Sequence, residues 1–101
     1  MNYLNILFAL AIVTPCVASS AFAYTGEKLA KTAKITIEQA TDIAQKARSG
    51  KITDKELERE KGGSGLRYSF DVLSKGITYE VGVDAQTGAV LENARESAHA
   101  D

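Results

Sequence analysis

The chain has 101 residues, 25% of them charged, and twelve Lys and Arg against thirteen Asp and Glu give a formal net charge of −1. This length suits one small domain, and so close a balance of charge sets up no global field that would draw nucleic acid. The single Cys excludes an intrachain disulfide.

Residues 1–23, "MNYLNILFALAIVTPCVASSAFA", contain no Lys, Arg, Asp, Glu or His. An apolar run from Leu4 to Val13 is followed by Pro15 and then by small residues ending in Ala21-Phe22-Ala23. This is the order of a secretory signal, with small side chains at the −3 and −1 positions, so cleavage is expected between Ala23 and Tyr24. The n-region has no Lys or Arg, and the competing reading is an uncleaved membrane anchor. The Val-Thr-Pro before Cys16 does not suit lipid attachment, which wants a small residue immediately before the cysteine. Cleavage would place residues 24–101 in the periplasm or outside the cell, without Cys, Pro or Met. A domain of that size would rest on one hydrophobic core.

Residues 24–34, "YTGEKLAKTAK", are polar and read as a flexible lead-in. Thr36 and Gln39 then have the spacing of a capping box. Ile37, Ala40, Ile43, Ala44 and Ala47 fall on one helical face, which predicts a helix from Ile37 to Ser49 with Gly50 as a left-handed cap. Its apolar face is mostly alanine, so its backbone can lie close to whatever it covers. "KITDKELEREK" is helical by propensity, but Ile52 and Leu57, five apart, make no helical stripe. The strand reading is preferred. It sets Asp54, Glu56, Glu58 and Glu60 on one side and Lys55, Leu57 and Arg59 on the other, which suits a charged edge.

The Gly-rich "KGGSG" is a turn and has neither the lysine nor the spacing of a phosphate loop. After it, Leu66, Tyr68, Phe70 and Val72 alternate with polar residues, as do Ile77, Tyr79, Val81 and Val83. A loop of even length, Lys75-Gly76, sets Val72 opposite Tyr79, Phe70 opposite Val81 and Tyr68 opposite Val83. An odd loop would set apolar residues opposite polar ones. The hairpin therefore has one apolar face for the helix and one wet face bearing Arg67, Ser69, Asp71 and Glu80. Residues 94–101 read as a flexible tail.

Between Val83 and Ala89 stands Asp84-Ala85-Gln86-Thr87-Gly88. A calcium loop would need further oxygen ligands at alternate positions and a Glu at the twelfth, and this stretch has neither. As a hairpin corner it needs only Asp84 to accept hydrogen bonds from turn N–H groups and Gly88 to take positive φ. His99 lies in the tail, where it cannot start a zinc site, and no nucleophile elbow is present. No catalytic residue, metal or cofactor is expected.

Taken together, "ITIEQATDIAQKA", the charged segment, the Gly-rich turn and "YSFDVLSKGITYEVGVDAQTGAVLE" resemble the PepSY family over about Ile35 to Glu92. The Thr-capped, Ala-rich helix, the Tyr-Glu-Val strand and the Asp-x-x-Thr-Gly-x-Val corner carry the resemblance. It implies an α+β fold in which one N-terminal helix packs on an antiparallel meander of three to four strands, with the domain over residues 35–93. It also implies non-enzymatic work through a protein partner, of the peptidase-inhibitor or regulator kind. The alternative is a structural or stress-related envelope protein with no peptidase target. The candidate partner surfaces are the two sheet edges: the acidic row Asp54, Glu56, Glu58 and Glu60, and the short run Ala89, Val90, Leu91, Glu92 and Asn93.

Overall fold

The computed structural model describes residues 23–96. The expected export signal, apart from Ala23, and His99 lie outside the described residues. A 3₁₀ helix, Glu27–Thr32, precedes helix α1 (Ile37–Ala47). Four strands follow, β1 (Lys51–Arg59), β2 (Leu66–Ser74), β3 (Ile77–Asp84) and β4 (Val90–Arg95). They form one antiparallel sheet in the order β1-β2-β3-β4, a meander with α1 on one face. The fold is α+β.

Local chemistry explains each element. The Thr36 hydroxyl accepts from Gln39 N–H at 3.0 Å, and Gln39 Oε1 accepts from Thr36 N–H at 2.9 Å, so two of the helix's orphan donors are satisfied. Ala40 and Ala44 are fully buried, and Ile37, Ile43 and Ala47 flank them against the core. The end of α1 corrects the expectation. The helix stops at Ala47, two residues before Ser49, and Gly50 at φ 157° is no left-handed cap. A side chain on Gly50 would run into the Leu73 carbonyl and Val72, so it is the close approach to β2 that requires glycine. The last turn is closed from outside the helix, where Asn93 Nδ2 donates to Ala47 O at 3.1 Å.

Segment 51–59 is a strand, and a bulge settles its odd spacing. Ile52 pairs with Val72, Asp54 pairs with Asp71, and Thr53 is the extra residue between them. Ile52 and Leu57 are an odd number of positions apart and would face opposite ways on a regular strand. The bulge turns both toward the core.

The β2–β3 register is the one that parity demands: Val72 opposite Tyr79, Phe70 opposite Val81 and Tyr68 opposite Val83. Lys75 and Gly76 both take positive φ, at 52° and 79°, the conformation whose twist matches a two-residue hairpin. Leu57, Leu66, Tyr68, Phe70, Val72, Val81 and Val83 form the core with Ala40, Ala44 and Ala85. The Tyr68 hydroxyl donates to Ile35 O at 2.8 Å, and burial first, then Tyr24 and Glu38, pushes its pKa up to about 12.

The lead-in is built into this sheet. Thr25 bridges in parallel to Glu56, and Leu57 N–H donates to Thr25 O at 2.8 Å. Gly26, at φ 82°, lies so close to the Leu57 carbonyl that a Cβ would collide with it. Leu29, Ala30 and Ala33 then pack against the core, and the Tyr24 ring lies 6.5 Å from that of Tyr68 at 56°. The far end differs as well, because β4 runs on to Arg95, past the expected domain boundary at residue 93.

Candidate partner surface

Asp84 is the most tightly engaged polar residue of the fold. The residue is 1% exposed, and its side chain accepts from Ser64 N–H at 2.6 Å, the Ser64 hydroxyl at 2.9 Å, Gln86 N–H at 2.8 Å and Thr87 N–H at 3.1 Å. Burial alone would push its carboxyl up. The hydrogen bonds from Ser64, Gln86 and Thr87 outweigh burial and hold it at about 2. Gly88, at φ 82°, closes the corner with its N–H on Asp84 O at 2.8 Å. The next residue, Ala85, accepts from the N–H groups of Lys34 and Ile35 at 3.0 and 3.1 Å, which ties the start of α1 to the corner. The Asp-x-x-Thr-Gly stretch is thus a junction of the β2 entry turn, the lead-in and the β3–β4 hairpin. All the bonds of its carboxylate are spent within the chain.

The face of the sheet away from α1 is acidic. The strand presents Asp54, Glu56 and Glu58 on that face, opposite Asp71, Ser69 and Arg67. Glu60 lies beyond the end of β1, and its carboxylate is 3.6 Å from Arg67 Nη1, so the expected row of four is a row of three and a clamp. The register adds Glu80 on β3 and Glu92 on β4 to the same face. Burial, then Glu96 and Asp54, raises the Asp71 carboxyl. Burial, then Glu92, Asp71, Glu96 and Glu58, raises that of Glu80. The extension of the acidic row across the sheet follows from the wet-face alternation once the strands are in register.

Arg67 is where the wet-face expectation fails. Its residue is 8% exposed, because the side chain lies flat over Gly82, where a Cβ would meet it. Its guanidinium reaches Glu92 Oε1 at 3.3 Å and donates to Lys61 O at 3.1 Å. Nothing in the local pattern of β2 marks it. The signal is Gly82, the one wet-face position of β3 without a side chain.

The two edges of the sheet differ. Along β1 the lead-in already lies at Glu56 and Leu57, and an open groove of about 450 Å³ between it and Ile52, Thr53, Asp54 and Lys55 continues that edge. Along β4, among the described residues, no segment pairs with the outer side, and Val90 is 45% exposed. Asn93 faces α1, where its Oδ1 accepts from Arg48 Nε at 3.1 Å. The Arg48 guanidinium stacks over the Tyr79 ring at 3.7 Å. Of the expected cleavage residues, Tyr24 N–H donates to Glu27 Oε1 at 3.3 Å, and Ala23 lines the β1 groove.

The family model for PepSY, the peptidase propeptide and YPEB domain, matches residues 34–93. The chain belongs to the PepSY family. The match starts just before α1 and ends within β4, so it takes in the helix, the first three strands and the start of the fourth, while the lead-in up to Ala33 lies outside it. Comparison with curated proteins and with solved structures returned no match. No helix among the described residues is long and apolar enough to cross a membrane.

Proposed function

We propose that this PepSY protein is an exported, non-catalytic protein-binding module that restrains or regulates a peptidase. The observation that carries the reading is the match to the peptidase propeptide and YPEB domain over residues 34–93, which takes in the helix, the first three strands, the β3–β4 corner and the start of β4. A propeptide-type domain acts by occupying surface on a partner and needs no reactive group of its own. The chemistry here agrees with that role, because the most engaged carboxylate, Asp84, serves the fold. Export is supported by the uncharged apolar run of residues 1–23 ending in Ala21-Phe22-Ala23.

The experiment is capture from envelope extract with the immobilised protein, followed by an inhibition assay on whatever peptidase is recovered. A peptidase that is bound and slowed supports the reading. Recovery of envelope scaffold proteins or lipids, with no effect on any peptidase, would favour the structural alternative. N-terminal sequencing of protein from the periplasmic or secreted fraction is expected to begin at Tyr24, and an intact Met1 in the membrane fraction would contradict export by cleavage.

A further inference from the structure

We propose that the outer edge of β4 takes up an extended peptide as a fifth strand, and that this peptide carries Lys or Arg on the side it shares with Glu92 and Glu96. The proposal rests on the protein-binding reading and names the site and chemistry of the contact.

The meander leaves only β1 and β4 as edges. An edge strand presents unpaired N–H and C=O groups that can template another chain. On β1 the chain meets this need itself. Thr25 takes the Leu57 N–H at 2.8 Å, and the backbone of Gly26 sits against the Leu57 carbonyl, so an incoming strand would have to displace both. On β4 the phase of the ladder shows which groups remain open. Glu96 N–H donates inward to Thr78 O at 2.9 Å. Alternate residues of an antiparallel strand point their N–H the same way, so Glu92 and Ala94 also face β3, while Asn93 and Arg95 face outward. Nothing among the described residues pairs with those two. The bulge between Gly82 and Val83 ends before this stretch, and from Glu92 to Arg95 the ladder is regular.

The flanks of the edge set the chemistry. On the face away from α1, a fifth strand would run beside Glu92, Ala94 and Glu96, with Glu80 one strand further in. A directly opposed residue on a neighbouring strand has its Cβ about 5 Å away, well within reach of a Lys or Arg head group. Crowding by Glu92, Asp71, Glu96 and Glu58 adds to burial in raising the Glu80 carboxyl, and a cation placed there would relieve it. On the helix side the start of the edge is apolar, with Val90 45% exposed and Ile43 close to Gly88. An extended segment that alternates basic and aliphatic residues fits both flanks.

The test uses protein produced from the full chain and a short blocked peptide of alternating Lys and Val, with titration followed by backbone amide NMR. Shifts are expected to concentrate on residues 90–96, and exchange of the Asn93 and Arg95 amides should slow on binding. A Glu-Val peptide of the same length, and a Lys-Val peptide N-methylated on its alternate amides, should each bind about tenfold or more weakly. Arg95→Pro, which removes an outward N–H, should cost a similar factor while the protein stays folded by circular dichroism. Shifts that instead map to the lead-in and β1 would overturn the proposal. So would equal binding of the N-methylated peptide, which remains decisive if Arg95→Pro fails to fold. If a peptidase is captured but the peptide ignores β4, the edge site fails and the protein-binding reading stands. If the peptide binds β4 but no protein is ever captured, the reverse holds.

Discussion

The two edges of this sheet meet the same physical problem in different ways. β1 is nine residues long and carries a bulge and a row of carboxylates, and the lead-in lies against it through Thr25 and Gly26. β4 is six residues long and is tied beyond β3 by side chains, Glu92 to Arg67 of β2 on one face and Asn93, which closes the C-terminus of α1 and engages Arg48, on the other. A long edge strand needs cover from its own chain, whereas a short one can stay open with its side chains anchored to the layer above. The cover on β1 comes from residues outside the family match, and the open edge lies inside it up to Asn93.

Substitutions can separate the edges, and the largest effect should not distinguish them. Phe70, 1% exposed in the centre of the core, supports both, so Phe70→Ala should cost about 3–5 kcal/mol and loosen β1 and β4 together in a urea melt with residue-level exchange. Loss of one edge alone would mean that the core is divided. Asp84→Ala should cost roughly 3 kcal/mol, because the part-buried N–H groups of Ser64, Gln86 and Thr87 together lose a charged acceptor.

The same residue gives an acid signature. A carboxyl held at about 2 contributes stability that is present above its ordinary pKa and is lost as pH falls from about 4 toward 2. Asp71 and Glu80 act in the opposite sense. Their raised carboxyls contribute stability at low pH that is lost as pH rises through their folded pKa values. Melting temperature should therefore rise slightly on mild acidification and then fall steeply, and Asp84→Ala should flatten only the fall.

Gly26→Ala should cost about 2 kcal/mol, since it forces a side chain into positive φ and against the Leu57 carbonyl. It should expose the β1 edge while β4 keeps its protection. Asn93→Ala should cost about 1 kcal/mol, the typical net worth of a hydrogen bond of this kind, and should fray the last turn of α1 without touching the lead-in.

How far the sequence discloses this molecule depends on where each determinant lies. The β2–β3 register is legible because side-chain parity permits only an even loop, and Lys75-Gly76 supplies one. The capping box of α1 is legible because both partners sit within one turn. The Thr53 bulge is not, although the odd separation of Ile52 and Leu57 hints at it, since a bulge is chosen by the partner strand. Arg67 reads as a wet-face residue because its burial depends on Gly82, a strand away. Gly50 reads as a cap because local rules assign glycine to helix ends, whereas its reason is the backbone of β2. The lead-in reads as mobile because it is polar, and its anchors on β1 are long-range. For the partner surface, the acidic row and the β4 run are visible as patterns, but which edge is covered depends on contacts that join distant parts of the chain.

Native-state hydrogen exchange of the free protein tests the contrast between the edges most directly. The Leu57 amide, bonded to Thr25, is expected to be protected, and within β4 the Glu92 and Ala94 amides should be protected while Asn93 and Arg95 exchange rapidly. Rapid exchange at Leu57 together with slow exchange at Asn93 and Arg95 would contradict it, because the covered edge and the open edge would then have changed places.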